Sequence, residues 1–310
     1  MAAVSAVYSR PGKASRGAAI ISALLVVALA AALAAGLSVR VSRWLDGLRQ
    51  EREDAQTSQM VRAALDWTRS VLEQDAATSA TDHLGEAWAQ PSPIIPIEQE
   101  GELRGRIEDA SARFNLNNLV TEQGTVDLAW LAAYRRLLRD RGLPAELATV
   151  LANWLDRDGT LQAGGGTENW GEDVRPANAP LSQAAEIAAI PGYSPDVAAR
   201  LLPFVTALPA RTVVNANTAS RELLAALADD GSASLGPFLA ERDILPYRDK
   251  ADLLSRLERS RLRVNPDLLG VSSDWFLVSG HIRYRQSEQV LEALLAREHG
   301  RTRIVWWARR

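Results

Sequence analysis

From Gly17 to Val39 the chain runs 23 residues without a charge, and only Ser22 and Ser38 are plainly polar. As a helix this stretch is roughly 34 Å long, enough to cross the hydrocarbon layer of a membrane. A helix in lipid satisfies its own backbone hydrogen bonds and needs no partner to persist there. Everything after it is then held at a membrane surface, or in a filament once the helix leaves the bilayer. The apolar fraction of the remaining chain is ordinary, so a core can form, with one or two domains besides the anchor. A net charge of −3 is too small to steer the protein toward nucleic acid. Without cysteine there is no disulfide and no thiolate metal site. His83, His281 and His299 lie far apart and offer no metal or catalytic spacing; His281 and His299 read as strand and turn residues. No nucleophile–base–acid set stands out, so no enzyme is expected.

Residues 1–16 carry Arg10, Lys13 and Arg16 and no acid. A basic lead before an apolar run fits an ordinary secretory signal, a plain transmembrane anchor, or a prepilin-type leader. The run exceeds the 7–15 residues of an ordinary signal. Arg40, Arg43, Arg49 and Arg52 follow it closely, so flanking charge does not decide orientation. Gly17 stands directly after a basic residue and directly before the run. That placement resembles the prepilin leader, cut by a membrane aspartic peptidase after the glycine. The cut would leave Ala18 as the mature N-terminus and keep the apolar helix. The fifth residue after it is Ser22, where most pilin-like proteins carry a glutamate.

The helical pattern continues from Ser38 to about Leu72. It is interrupted by the polar stretch Arg49–Gln59, then repeats at Val61, Ala64, Leu65, Thr68, Val71 and Leu72. Pro91, Pro93 and Pro96 end it, and Leu103–Asp109 reads as a first strand. Helices are expected at Leu128–Arg141, Glu146–Asp156, Leu181–Ala189, Asp196–Leu208, Ala219–Ala228 and Lys250–Arg259, with Thr218 or Asn217 as an N-cap. Trp275–Tyr284, Glu288–Leu295 and Arg303–Trp307 alternate as strands, with Glu298–Arg301 as the last turn. Adjacent Trp306 and Trp307 must face opposite sides of that sheet.

Four motifs occur in order: the leader, Phe114-Asn-Leu-Asn-Asn-Leu119, Trp154-Leu-Asp-Arg-Asp158 and Val214-Asn-Ala-Asn-Thr-Ala219. In this arrangement the chain resembles the general secretion pathway protein K family, the large minor pseudopilins of type II secretion, from residue 16 onward. The family also lacks the glutamate after the leader, and Ser22 agrees with that. The resemblance implies an α+β fold: a type IV pilin-like N-terminal helix on a small antiparallel sheet, with a large all-helical domain, helix-hairpin-helix or SAM-like, inserted between strands. Expected divisions are a leader over 1–17, a membrane or filament-core helix over 18–39, an amphipathic helix and first strand over 40–118, the helical insert over 119–270, and closing strands over 271–310.

It further implies cleavage at Gly17–Ala18 by the prepilin peptidase, N-methylation of Ala18, a single pass through the inner membrane with the bulk in the periplasm, and incorporation into the pseudopilus. The implied role is to cap the pseudopilus tip with minor pseudopilins of the I and J types, with exported protein or the outer-membrane secretin as further contacts. Three other identities stay open: an uncleaved inner-membrane scaffold, a type IV minor pilin, and a membrane-tethered DNA-handling protein of competence type. Ile190-Pro-Gly-Tyr-Ser194 resembles a helix-hairpin-helix turn, but it lacks a second glycine, and Lys13 and Lys250 are the only lysines, so no nucleic acid is expected.

Asp156 and Asp158 precede a glycine-rich stretch holding Glu168, Asn169 and Asp173. Hard oxygen donors on such a loop suit calcium, which accepts six to eight oxygens at loose geometry. The spacing is not that of an EF-hand, since the sixth and twelfth positions counted from Asp156 are Leu161 and Thr167. A solvated acidic loop with Asp156 capping a helix is the other reading. The family resemblance implies calcium here, with Asp156, Asp158 and Glu168 matching its motifs. Replacing Gly17 with a bulkier residue is expected to leave the leader attached and stop secretion; intact-mass measurement of the N-terminus and an export assay check it.

Overall fold

The computed structural model describes residues 14–92, 95–97, 101–157, 176–229, 234–284 and 287–309. The chain divides into two compact units, Met1–Met60 and Val61–Arg310. Helix α1 runs over Ala14–Thr78, 65 residues without a break. In the first unit its apolar residues from Ile20 through Val41 are exposed, as an apolar stretch meant for lipid or for other helices would be.

The second unit is built on an antiparallel sheet in the order β1-β2-β7-β8-β9. These strands are Ile95–Ile97, Gly101–Asp109, Trp275–Tyr284, Ser287–Glu298 and Arg301–Arg309. From α1 the sheet receives Val61, Leu65, Thr68 and Leu72, all buried, at the spacing of one helix face. Trp88 packs edge-on against Phe276 of β7, ring centroids 5.3 Å apart. The last hairpin turns on His299 and Gly300, both at positive φ (52° and 74°), the backbone a two-residue turn needs to match strand twist. Trp306 lies on the sheet face that packs against Trp275 and Leu294, while Trp307 is 48% exposed. At the outer edge, Arg69 Nε donates to the Thr302 C=O and Glu73 accepts the Thr302 N–H, both at 2.9 Å. Side chains of α1 thus cap that edge where a further strand would pair.

Between β2 and β7 the chain makes a long excursion. Its elements are β3 (Phe114–Asn115), α2 (Leu128–Asp140), α3 (Leu147–Leu155), α4 (Pro195–Leu201), β4 (Val205–Thr206), β5 (Val214–Asn215), α5 (Arg221–Leu227), α6 (Leu235–Ile244), α7 (Lys250–Ser260) and β6 (Leu269–Gly270). The excursion is not purely helical: β3 pairs parallel with β4, and β5 with β6. Near its start Phe114, Leu116 and Leu119 are fully buried in the core that its helices share. Phe114 stacks on Tyr134 at 5.1 Å and meets Trp130 edge-on at 5.3 Å.

Local chemistry accounts for where the helices differ from the sequence pattern. The helix expected through Leu208 stops at Leu201, since Pro203 supplies no N–H to continue it. The residues 181–189 form only a 3-10 turn over Ala184–Ala189. Helix α6 was not evident in the pattern, because Gly236 and Pro237 read as punctuation; they occupy its first turn, where a missing N–H costs nothing. The N-cap of α5 is Ser220, whose Oγ accepts the Leu223 N–H, and neither Asn217 nor Thr218 serves there.

Candidate functional site

The Gly17–Ala18 bond lies within the opening turns of α1. Ser22 Oγ donates to the Ala18 C=O at 2.9 Å, so the hydroxyl is spent on its own helix, one turn back. An 18-residue window of this helix has mean hydropathy 2.7 and is wholly exposed. The segment therefore presents an apolar surface with no acid near its start to seek a cation on a neighbour.

Of the expected calcium residues, Asp156 follows α3 directly and is 2% exposed. Asp158, Glu168, Asn169 and Asp173 lie outside the described residues. The Asn178 N–H donates to the Trp154 C=O at 2.9 Å, which ties the far end of that stretch back to α3.

The two asparagine motifs carry matching bonds. Asn115 Oδ1 accepts the Asn117 N–H at 3.2 Å, and Asn215 Oδ1 accepts the Asn217 N–H at 3.0 Å. The second asparagine of each motif then clamps the backbone of one distant residue from both sides. Asn117 donates to the Leu181 C=O and accepts the Leu181 N–H, both at 2.9 Å. Asn217 does the same to Tyr247, at 3.0 and 2.8 Å. Each parallel strand pair is thus followed by an amide that stands in for the next rung of a ladder.

Asn215 also reaches the place where the excursion leaves the sheet. Its Nδ2 donates to Asp109 Oδ2 at 2.8 Å and to the Asp82 C=O at 3.0 Å. Thr218 Oγ1 donates to Asp109 Oδ2 at 2.6 Å, and the Ser111 N–H to Oδ1 at 2.7 Å. Ser273, just before β7, bonds Ser111 through the two hydroxyls at 2.9 Å and gives its N–H to Asp82 at 2.7 Å. Arg297 of β8 closes the arrangement: Nη2 donates to both Asp82 oxygens at 2.5 and 2.6 Å, and Nη1 to Asp75 at 2.9 Å. The guanidinium lies over the Phe276 ring, 4.7 Å from its centroid.

Asp75, Asp82 and Glu86 converge closely enough to hold a metal ion, but Arg297 already supplies a cation to two of them. Burial raises the carboxyl of Asp82 to about 6, outweighing the pull of Arg297. Burial raises Asp109 as well, against hydrogen bonds from Ser273, Thr218 and Asn215. The sequence had no local signal for this cluster, because positions 75, 82, 109, 215, 273 and 297 share no spacing.

An amphipathic helix end packed on an antiparallel sheet, entered by an exposed apolar rod, defines an α+β protein of the type IV pilin-like class. The family models described as type II secretion system protein K match residues 112–210 and 214–272. A type II secretion system protein K from Pseudomonas aeruginosa is 32% identical over 308 residues, covering 93% of this chain and 91% of the relative. One from Klebsiella pneumoniae is 28% identical over 313 residues, covering 93% and 94%. The chain belongs to the type II secretion system protein K family. Its fold is similar to a chain in the crystal structure of the GspK–GspI–GspJ complex from the enterotoxigenic Escherichia coli type 2 secretion system. That match has a TM-score of 0.71 at 23% identity and covers 84% of this chain and 98% of the other.

Because the folded state holds its proton on Asp82 more tightly than the unfolded chain, its contribution to stability is complete below about pH 4 and is lost as pH rises through about 6. Asp82→Asn is expected to flatten the melting temperature across that window, measured by thermal unfolding at stepped pH.

Proposed function

We propose that this chain is a minor pseudopilin that caps the tip of the type II secretion pseudopilus and supports export of folded proteins across the outer membrane. The observation that carries this is the pairing of an uncharged, exposed rod with a bulky excursion between β2 and β7. A rod that buries among other rods anchors the subunit. A helix start whose fifth residue, Ser22, gives its hydroxyl to the Ala18 C=O one turn back reaches for no neighbour above. A domain of this size is hard to fit within a tightly packed shaft, which favours the end position. The work of the molecule is assembly.

On this reading the prepilin peptidase cuts Gly17–Ala18 and Ala18 is N-methylated. The rod passes once through the inner membrane, with the second unit in the periplasm. Partners are the I-type and J-type minor pseudopilins, a reading supported by the composition of the complex that its structural neighbour comes from. Exported protein or the secretin meets the tip from above. Purified full-length chain mixed with these two pseudopilins is expected to elute as one ternary complex, and mass measurement to give a mature N-terminus at methyl-Ala18. A protein still starting at Met1, or one found at many copies along shafts, overturns the reading.

Calcium fits the same picture. Asp156 is a buried carboxylate at the end of α3, and the stretch after it is rich in oxygen donors. Asp156, Asp158, Glu168, Asn169 and Asp173 would supply carboxylate and amide oxygens, and a bound ion would close the loop and stiffen the domain. Calorimetric titration of the full chain is expected to show binding that Asp158→Asn weakens; no heat at millimolar calcium removes the claim.

A further inference from the structure

Strand β2 is paired with β7 along its whole length, but β1 covers its other edge only at 101–103. The Gly105 C=O accepts the Ser92 N–H from outside the sheet at 3.2 Å. Backbone groups of alternate strand residues point to opposite edges, so Ile107 also turns its N–H and C=O outward. Among the described residues, those two groups have no backbone partner. At the opposite edge of the same sheet, by contrast, the N–H and C=O of Thr302 are both capped by α1 side chains.

Two depressions flank this free edge. On the face toward α1, Gly105 and Gly280 are direct cross-strand partners, and neither carries a side chain into the space beneath Ala64 and Val71. The result is an apolar hollow of about 210 Å³, with Trp67 and Trp88 in its wall. A Cβ on Gly280 would meet its nearest atoms at 3.5 Å, so an alanine fits there without strain. Along the edge itself runs a second groove of about 410 Å³, walled by Leu84, Trp88, Pro91 and Phe204. Leu84 is 57% exposed and Trp67 45% exposed beside them. Unpaired strand groups recognise another strand, and alternate residues of an added strand point into the pockets on one face.

We propose that the edge of β2 at Ile107, beyond the Ser92–Gly105 bond, accepts an extended strand from a partner pseudopilin, which seats one apolar side chain in the Gly105–Gly280 hollow. This rests on the assembly reading above. The Ile107 N–H and C=O supply the main-chain bonds, and the hollow, larger than the 150 Å³ that suffices for a benzene ring, selects an aromatic or large aliphatic residue.

The test is hydrogen exchange followed by mass spectrometry on fragments covering 101–113, with the full-length chain alone and mixed with its I-type and J-type pseudopilins. On complex formation, amide exchange at Gly105 and Ile107 is expected to slow by about tenfold or more. Ile107→Pro removes an outward N–H, at a place where a strand tolerates proline, together with the buried Ile107 side chain, and is expected to weaken association by about tenfold. Gly280→Ala narrows the hollow, is expected to fold normally, and should weaken association in the same direction; it carries the test if the proline variant does not fold. A complex that forms while this segment exchanges at its free rate, or that tolerates Gly280→Ala with unchanged affinity and exchange, overturns the docking. Failure to form any complex counts against the assembly itself, and against this docking with it.

Discussion

Arg297 sits with its guanidinium between Asp75 and Asp82, 10% exposed, against carboxylates 11% and 1% exposed. Two neighbouring segments, the end of α1 and the loop after it, meet strand β8 there from more than 200 residues away in sequence. Water is largely excluded, so the attraction is bought against the desolvation of every charge, and the pair adds less to net stability than its short distances imply. Removing one partner is another matter, since an uncompensated buried charge costs about 3–5 kcal/mol. The contact therefore acts chiefly as a key. Only one placement of the helix end against the sheet lets both carboxylates and the Ser273 backbone reach the same guanidinium.

That placement also makes the long excursion tolerable to the sheet. Asp109 and Phe276, where the chain leaves and has just returned, are neighbours across the β2–β7 ladder. The intervening residues depart and come back at adjacent points, so the ladder is not stretched to accommodate them. Ser111 with Ser273, and Asp109 with Asn215 and Thr218, sew the two ends to each other. Inside the excursion the same device appears twice. A two-residue parallel pair is followed by an asparagine that clamps a remote backbone. The two family matches, 112–210 and 214–272, begin two residues before the first pair and at the start of the second. Each half holds its own closing strand, which is why helices of only seven residues, α4 and α5, persist: packing and clamps hold them where propensity alone would not.

The apolar rod has simpler physics. Its surface gains nothing from water and carries no charge to direct it, so lipid and other rods are its natural surroundings. Ser22 keeps its hydroxyl from seeking a partner elsewhere by donating it to the Ala18 C=O one turn back. The sheet edges divide the rest of the labour: one is capped by Arg69 and Glu73, and the other is left partly open beside a glycine-floored hollow.

Much of this was legible without coordinates. The uncharged run, the face formed by Val61, Leu65, Thr68 and Leu72, the alternation in β7 to β9 and most of the helices follow from local periodicity, because the period of a side-chain pattern is the period of the backbone that carries it. Motif order was enough to reveal the family. Tertiary structure alone decided that Asn217 clamps Tyr247 and Thr218 bonds Asp109 instead of capping a helix, that Arg297 joins Asp75 and Asp82, and which edge of β2 stays open. Each depends on which partner a polar group finds some 30 to 200 residues away. A residue's own neighbours in the chain carry no trace of that choice, since it is made by packing, after the elements exist.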